Sequence, residues 1–556
     1  MQALLKNKNE VVFPMNKNDI IELEITDVTA EGSGVGRHDG MAVFVPAAAA
    51  GDVISCRIVK VCKSYCFGII DKIIKPSADR AESGCEISKK CGGCVFRHID
   101  YSAELRIKDK SVRDAFKRIG GLDIPFEDIL GCESADRYRN KAQYPVAGEA
   151  GSAFCGFYAQ RSHRVIPCGD CILQPEIFGK ITEDVLGYIN SRKIPPYNEE
   201  SGKGCVRHIY LRRGYHSGEI MVCLVVTKED RKLFAPMADM LMKKYPDIKS
   251  VVLNINSRRT NVIMGEKCVT VGGRGYIEDI MCGRRIKISP LAFYQVNTAQ
   301  AERLYGIAAD FAELKGGEVL LDLYCGAGTV GLSMADKISK LIGGEIIPEA
   351  VENAKENAAA NGIENAEFIC GDAGKIADSL AAKGMRPDVI VIDPPRKGCD
   401  SLTLDSIVKM APEKVVMISC NPATAARDAA YLGERGYAAV KARAADMFPR
   451  TGHVETVCLL SKLKSDQHIE VELKTDELDL TSAESKATYD EIKAYVKEHS
   501  GLTVSSLNIA QVKQKYGIIE RENYNKAKSK GSRQPKCTKE KEEAIVGALR
   551  FFKMIK

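Results

Sequence analysis

Three segments with polar or thiol side chains each follow an apolar run that is typical of a buried strand. Asp322-Leu323-Tyr324-Cys325-Gly326-Ala327-Gly328 follows one run, Asp393-Pro394-Pro395-Arg396 the second, and Ser419-Cys420-Asn421-Pro422 the third. Doubly wound α/β folds hold their ligands at the carboxyl ends of the strands. The three segments therefore indicate a ligand-binding edge of a sheet.

The first segment is a glycine-rich turn between a strand and a helix. Tyr324, Gly326 and Gly328 lie in the turn, and Glu345 ends the next strand. Such a turn lets a nucleotide-like ligand approach the backbone, and the acidic residue can accept hydrogen bonds from ribose hydroxyls. The same spacing occurs in dinucleotide-binding folds, so the pattern alone does not separate NAD from S-adenosylmethionine.

The other two segments carry groups that could react. Cys420 lies at a strand end beside an Asn-Pro turn, where a thiol is placed like a nucleophile, although an inert buried thiol is the commoner case. Asp393 precedes two prolines, and the three residues form a rigid segment with one carboxyl group at the end of the strand. Glu455 follows Gly452-His453-Val454 near the last strand of the sheet, where a lone glutamate is usually a surface residue.

A second constellation consists of cysteines. Cys85, Cys91 and Cys94 are close together, and Cys168 or Cys171 could supply a fourth thiolate. Closely spaced thiolates flanked by glycines can converge on an iron–sulfur cluster, and four thiolates can also hold structural zinc. The remaining alternative is chance clustering, because the chain has 20 cysteines.

The composition limits the classes of protein that these residues can belong to. The chain has 556 residues, 45% hydrophobic and 28% charged, which is ordinary for a globular protein. No apolar run approaches the roughly 20 residues of a transmembrane helix, and the start lacks a secretion signal. We expect a cytoplasmic protein with reduced thiols. The net charge of +6 permits a polyanionic partner without requiring one.

The patterning predicts four parts. Residues 12–75 have the short alternating strands of a small β-barrel, and residues 76–290 form a mixed α+β central domain with the cysteine cluster. Residues 291–464 alternate strands and helices as in a doubly wound, Rossmann-like parallel sheet. Residues 465–556 form a small, mainly helical C-terminal extension with a Lys-rich stretch that could dock RNA or be a solvated loop.

One further segment interleaves positive charge with an aromatic ring. Arg137-Tyr138-Arg139-Asn140-Lys141 is of the kind found in RNA-contacting loops, although such residues are also common on solvated edges.

In combination, these motifs resemble those of the RNA uracil-C5 methyltransferases. Five segments occur in the order and spacing of that family: Phe293-Tyr294-Gln295-Val296-Asn297, Asp322 to Gly328, Asp393 to Arg396, Ser419 to Pro422, and His453-Val454-Glu455. The N-terminal unit looks like a TRAM domain, and the cysteine group is similar to the 4Fe–4S site of the 23S ribosomal RNA branch. The resemblance favours Cys171 over Cys168 as the fourth ligand.

The resemblance implies roles for particular residues. Cys420 would add to C6 of uracil and Glu455 would remove the C5 proton. Gln295, Tyr324, Gly326, Gly328, Glu345 and Asp393 would surround S-adenosylmethionine. The expected substrate is 23S ribosomal RNA. Transfer RNA is the main alternative, and an NAD-dependent iron–sulfur oxidoreductase or a catalytically silent RNA-binding protein are the others.

Overall fold

The computed structural model describes residues 15–463, 489–516, 537–552 and 554–555. The chain divides into two compact units, residues 1–465 and residues 466–556. No helix in the described ranges is long and apolar enough to span a membrane.

The first unit begins with a closed barrel in the strand order β1-β2-β3-β5-β4. Inward side chains such as Leu23, Val43 and Ile54 are fully buried, as the alternating sequence predicts. Asp39 and Gly40, both with positive φ, make the tight turn between the second and third strands. The barrel strands are β1 (Ile20–Val28), β2 (Ser33–His38), β3 (Met41–Pro46), β4 (Val53–Val61) and β5 (Tyr65–Lys75).

A mixed α+β region follows the barrel. Its sheet has seven strands in the order β13-β12-β11-β10-β7-β8-β9, and β14 and β15 form a separate hairpin. The elements in chain order are α1 (Tyr101–Arg118), β6 (Phe126–Leu130), β7 (Lys141–Ala147), β8 (Phe154–Tyr158), β9 (Val165–Pro167), α2 (Glu176–Ser191), β10 (Val206–Arg213), β11 (Ile220–Val226), α3 (Arg231–Lys244), β12 (Ile248–Ile255), β13 (Lys267–Gly273), β14 (Ile277–Met281) and β15 (Arg284–Ile288).

The third region is built on a Rossmann-like sheet of eight strands in the order β18-β17-β16-β19-β20-β22-β21-β6. Strand order reverses between β16 and β19, which makes a crevice at their carboxyl ends. The elements are α4 (Thr298–Ala312), β16 (Val319–Leu323), α5 (Thr329–Ser333), a 3₁₀ turn (Ala335–Lys337), β17 (Lys340–Glu345), α6 (Pro348–Ala360), β18 (Ala366–Cys370), α7 (Ala373–Ala382), β19 (Val389–Ile392), α8 (Ser401–Met410), β20 (Lys414–Ser419), α9 (Pro422–Gly433), β21 (Tyr437–Ala445) and β22 (Glu455–Lys462).

The end of this sheet differs from the predicted parallel pattern. β22 runs antiparallel to both β20 and β21, and β6 from the preceding region pairs with β21. A loop of residues 446–454 joins β21 to β22 without a helix, and two strands joined in this way can be antiparallel.

The second unit contains three described helices, α10 (Tyr489–Ser500), α11 (Ser506–Lys515) and α12 (Lys539–Phe551). Their apolar faces share a small core that includes Ile492, Val496, Ile509 and Leu549. The sequence predicts a mainly helical extension over residues 465–556, and the described elements of this unit are helices. Most of the Lys-rich stretch, from 525 to 536, lies outside the described residues.

Candidate active site

The glycine-rich turn lies at the switch point of the sheet, at the end of β16. Tyr324, Gly326 and Gly328 all have positive φ, at 66°, 55° and 81°. The Glu345 carboxylate accepts hydrogen bonds from the backbone N–H of Gly326 at 3.0 Å and of Ile347 at 2.9 Å. Glu345 therefore fixes the shape of the turn.

A pocket opens beside this turn. It brings together four of the predicted cofactor residues: Gln295, Tyr324, Gly326 and Asp393. Aromatic side chains, Phe293, Tyr294 and Tyr305, complete the wall, and Phe293 is 71% exposed. The pocket thus combines a backbone turn, flat apolar surfaces and one carboxyl group.

Strand pairing places Cys420 beside Glu455. Ser419, the last residue of β20, is paired with Thr456 of antiparallel β22. The next residue outward on one strand is Cys420, and the next outward on the other is Glu455. Cys420 is half-buried, and Glu455 is only 8% exposed. The antiparallel end of the sheet therefore juxtaposes a thiol and a carboxyl group.

The electrostatics of these groups are unusual for carboxylates near a protein surface. Burial, together with the nearby Asp393, raises the pKa of Glu455 to about 8. Burial also raises the pKa of Asp393 to about 7. The pKa of the Cys420 thiol is raised by burial and by Glu455 and Asp393, while Arg396 opposes the shift. Each of the three groups therefore holds its proton more strongly than usual.

The side chains of Cys420, Glu455 and Asp393 make no hydrogen bond or ion pair with other residues in the described ranges. Glu455 is the buried member of this set, and buried polar groups are usually hydrogen-bonded, so its lack of a protein partner calls for an explanation. A bound substrate would supply the missing partners.

The loop that leads to Glu455 is held by a buried ion cluster. Lys108 Nζ lies 2.7 Å from Oδ1 of Asp446 and 2.7 Å from Oε1 of Glu104, and all three side chains are at most 1% exposed. Lys108 also donates to the carbonyl of Phe448 at 3.2 Å, and Glu104 accepts from the Arg450 N–H at 2.7 Å. Helix α1 thus fixes three points of the loop between β21 and β22.

The five cysteines of the second constellation line one separate pocket, together with apolar side chains and the two arginines Arg97 and Arg139. Cys85, Cys91, Cys94 and both later candidates, Cys168 and Cys171, face it. Among the residues that the structure describes, no group of three or more His, Cys, Asp or Glu side chains is arranged to hold a metal ion.

Comparisons with known proteins decide the family. Residues 214–463 match the model of the tRNA (Uracil-5-)-methyltransferase family, and residues 14–70 match that of the TRAM domain. An uncharacterized RNA methyltransferase of Halalkalibacterium halodurans is 42% identical over 80% of this chain and 98% of its own length. One from Clostridium tetani is 41% identical over 81% of this chain and 98% of its own. The chain belongs to the RNA (uracil-5-)-methyltransferase family.

A solved structure agrees with this membership. The fold resembles that of the Pyrococcus abyssi tRNA (uracil-54, C5)-methyltransferase in complex with S-adenosyl-L-homocysteine. The TM-score is 0.64 at 26% identity, over 79% of this chain and 99% of the other. The protein is therefore an S-adenosylmethionine-dependent RNA uracil-5 methyltransferase with an N-terminal TRAM barrel.

The ion cluster behind the methyltransferase site could not be predicted from the sequence. Glu104 and Lys108 are spaced like an ordinary surface pair on a helix, and Asp446 is 338 residues away from Lys108. Nothing in the neighbouring sequence explains why a carboxylate stands at position 446, shortly before the last strand.

The Arg137–Lys141 segment divides into two kinds of residue. Arg137 pairs with Asp170 and donates to the carbonyl of Gln174, and Asn140 donates to the carbonyl of Gln295 at 2.8 Å. Arg139 and Lys141, by contrast, make no side-chain hydrogen bond or ion pair with the described residues. Burial, with Arg212 and Arg139 nearby, lowers the pKa of Lys141 to about 8.

Proposed function

We propose that this enzyme methylates C5 of a uridine in 23S ribosomal RNA through a covalent bond between Cys420 and C6 of uracil. The observation that carries the mechanism is the juxtaposition of Cys420 and Glu455, both unpartnered, beside the pocket at the switch point.

The chemistry requires both groups. Uracil C5 is a weak nucleophile until a thiolate adds to C6 and the ring becomes an enolate with electron density at C5. S-adenosylmethionine supplies the methyl group as an electrophile. After C5 has been methylated it carries a proton and a methyl group, so a base must remove the proton before Cys420 can leave.

Glu455 is suited to that second step by its position and its proton affinity. A carboxylate with a pKa near 8 is a stronger base than an exposed one. The same burial keeps the Glu455 carboxyl group protonated at neutral pH in the ligand-free enzyme. We therefore expect adduct resolution to accelerate as the pH rises toward 8, provided that this step limits turnover.

The pocket residues fit the methyl donor. The donor carries positive charge on its sulfonium and amino groups, and the unpartnered Asp393 carboxyl group lines the pocket. Tyr324 and Phe293 offer flat surfaces, and the positive-φ turn at Gly326 and Gly328 gives backbone access. Gln295 and Glu345 would complete the binding set. Glu345 would act by fixing the shape of the glycine-rich turn.

The Glu455→Gln variant tests the mechanism. It should still form the Cys420 adduct and transfer the methyl group, but it should accumulate a protein–RNA species that survives denaturation. The measurement is a gel shift in denaturing conditions, with the exposed Glu364→Gln as the matched control. Release of free methylated RNA at the wild-type rate would assign the base to another residue.

The target base must reach Cys420 from outside a helical stack, which costs a few kcal/mol. Arg139 and Lys141 support such a substrate, because unpaired cations attract RNA phosphates. Arg139 also lies close enough to His453, near the reacting groups, to help lower its pKa. Replacing Arg139 and Lys141 by glutamine should weaken RNA binding and reduce its salt dependence.

We further propose that Cys85, Cys91, Cys94 and Cys171 hold a 4Fe–4S cluster. The donor set is entirely thiol and shares one largely apolar pocket. Four thiolates can also hold a structural zinc ion, so zinc is the rival ligand of this pocket. The cluster is favoured by the cysteine pattern, which is similar to the 4Fe–4S site of the 23S ribosomal RNA branch.

Anaerobic purification tests the cluster. Brown protein with iron and sulfide near four each per chain is expected, whereas stoichiometric zinc in colourless protein would contradict it. Cys171→Ser should lose the iron and Cys168→Ser should retain it, which identifies the fourth ligand.

The choice of ribosomal RNA rests on the resemblance to the branch with this cysteine pattern. Transfer RNA is the rival, because the Pyrococcus abyssi structure is of a tRNA enzyme. Mapping 5-methyluridine in 23S ribosomal RNA and in tRNA from cells with and without the gene separates the two. We expect the enzyme to act in the cytoplasm, where both RNAs occur.

A further inference from the structure

Three aromatic rings contact one another on the outer face of the TRAM barrel. The centroid of Phe44 lies 5.7 Å from that of Tyr65 and 6.0 Å from that of Phe67, and Tyr65 and Phe67 are 5.5 Å apart. Phe44 of β3 is paired with Phe67 of β5, and Tyr65 is paired with Ala42 two residues along the same face. The rings therefore form one cluster across two neighbouring strands.

This cluster is not part of the barrel core. The intervening residues Val43, Val45 and Cys66 point inward and are fully buried. Tyr65 is 38% exposed, and Phe44 and Phe67 are half-buried. Ile69, two residues beyond Phe67 on β5 and 45% exposed, extends the apolar surface. A grouped apolar surface of this kind marks an interaction site more often than scattered exposed residues do.

Cationic side chains lie beside the rings. Lys60 of β4 is paired with Phe67, and Arg37 of β2 is paired with Ala42, next to Tyr65. Lys63 is in the turn between β4 and β5, and all three cations are exposed. Lys60 and Lys63 make no ion pair within the described ranges. Their charge is thus available to an external anion.

We propose that this face binds unpaired nucleotides of the RNA substrate, with bases stacked on Phe44, Tyr65 and Phe67 and phosphates near Lys60, Lys63 and Arg37. The inference rests on the proposed function insofar as RNA is the ligand, but it concerns a surface separate from the catalytic site. Aromatic rings flanked by cations suit single strands, because a duplex already stacks its bases internally.

A tryptophan reporter tests the stacking directly. The chain contains no tryptophan, so Tyr65→Trp in the full-length enzyme gives a single indole in the cluster. Single-stranded U12 should quench its fluorescence, whereas a 12-base-pair A12·U12 duplex should not. Ile74→Trp is the matched control, since Ile74 is 49% exposed on the same strand but about 23 Å away from Phe67. Equal quenching of the two reporters, or equal quenching by duplex, would overturn the proposal.

Affinity gives an independent measurement. Phe44→Ala and Tyr65→Leu should each weaken U12 binding about tenfold in a filter or anisotropy assay, as expected for the loss of one stacked base. Tyr65→Leu keeps most of the apolar area, so a loss of affinity there points to the ring itself. Ile74→Ala should leave the affinity unchanged.

Unchanged affinity in both ring variants would overturn the inference and indicate that the surface binds a protein partner instead. This failure is distinguishable from failure of the proposed function, which is judged by the position of 5-methyluridine in cellular RNA. If the enzyme modified only tRNA, the assignment of ribosomal RNA as the substrate would be wrong. Quenching of the tryptophan reporter by U12 would still support the inference about the barrel face.

Discussion

Two groups of acidic side chains in this enzyme have opposite arrangements. Near Glu104 and Asp446, Lys108 supplies a cation at 2.7 Å from each carboxylate. Near Glu455 and Asp393, no hydrogen-bond partner is present in the described part of the chain, and burial raises both pKa values. A paired cluster holds a backbone loop in place, whereas an unpaired one retains the capacity to bind or transfer a proton.

The two groups are nevertheless joined by one loop. Residues 446–454 begin at Asp446 in the ion cluster and end immediately before Glu455 at the reacting site. The ion cluster therefore holds in place the loop that positions Glu455. Mutations should therefore separate loss of chemistry from loss of folding.

The largest expected effect is on chemistry alone. Cys420→Ala removes the sulfur that would bond to C6, and we expect methylation to fall by at least a thousandfold. Binding of S-adenosylmethionine, measured by calorimetry, should change little because the pocket contacts come from other residues. Cys370→Ala, at an exposed thiol, is the matched control. A variant that retained a tenth of wild-type turnover would refute the role of Cys420.

The next effect should be on stability. Lys108→Met removes the cation that two buried carboxylates share, although Arg450 remains 3.5 Å from Glu104. Breaking a buried ion pair in this way costs about 3–5 kcal/mol. Thermal unfolding should show a large decrease in Tm, and Lys108→Arg should restore part of it. Lys110→Met is the control, because Lys110 pairs with Asp27 at the surface. If Lys108→Met unfolds at the wild-type temperature, the cluster does not stabilise the loop.

These two regions also differ in how far the sequence predicts them. Cys420, Asp393 and Glu345 could be singled out because each ends a strand, and strand ends meet at one edge of a sheet. The small β-barrel and the alternation of strands and helices over residues 291–464 were recognisable from local patterning.

What the sequence does not show depends on contacts distant along the chain. The tie between Lys108 and Asp446 leaves no local pattern. The antiparallel β22 was not predicted either, although it is the reason that Glu455 lies beside Cys420. The Arg137–Lys141 motif was compatible with either an RNA-contacting loop or a solvated edge, and the structure shows that Arg137 and Asn140 bind neighbouring loops.

The smallest effect concerns the proton on Glu455. In the folded enzyme its pKa is about 8, compared with an ordinary value of 4.5, so the folded state keeps a proton that the unfolded state releases between these values. Stability from this group is complete below about pH 4.5 and falls as the pH rises toward 8. Glutamine does not titrate. Glu455→Gln should therefore gain stability relative to wild type, on the order of 2 kcal/mol between pH 5 and pH 7.

Calorimetric Tm values of ligand-free wild type and Glu455→Gln at pH 5, 6 and 7 measure this difference, and Glu364→Gln tests for a general effect of removing one charge. A difference that widens with pH in favour of Glu455→Gln would show that the unpaired carboxyl group is protonated in the resting enzyme. A constant difference would mean that Glu455 is already ionised before substrate binds. In that case Glu455 would have a compensating partner, as Glu104 has in Lys108, because an ionised buried carboxylate requires one.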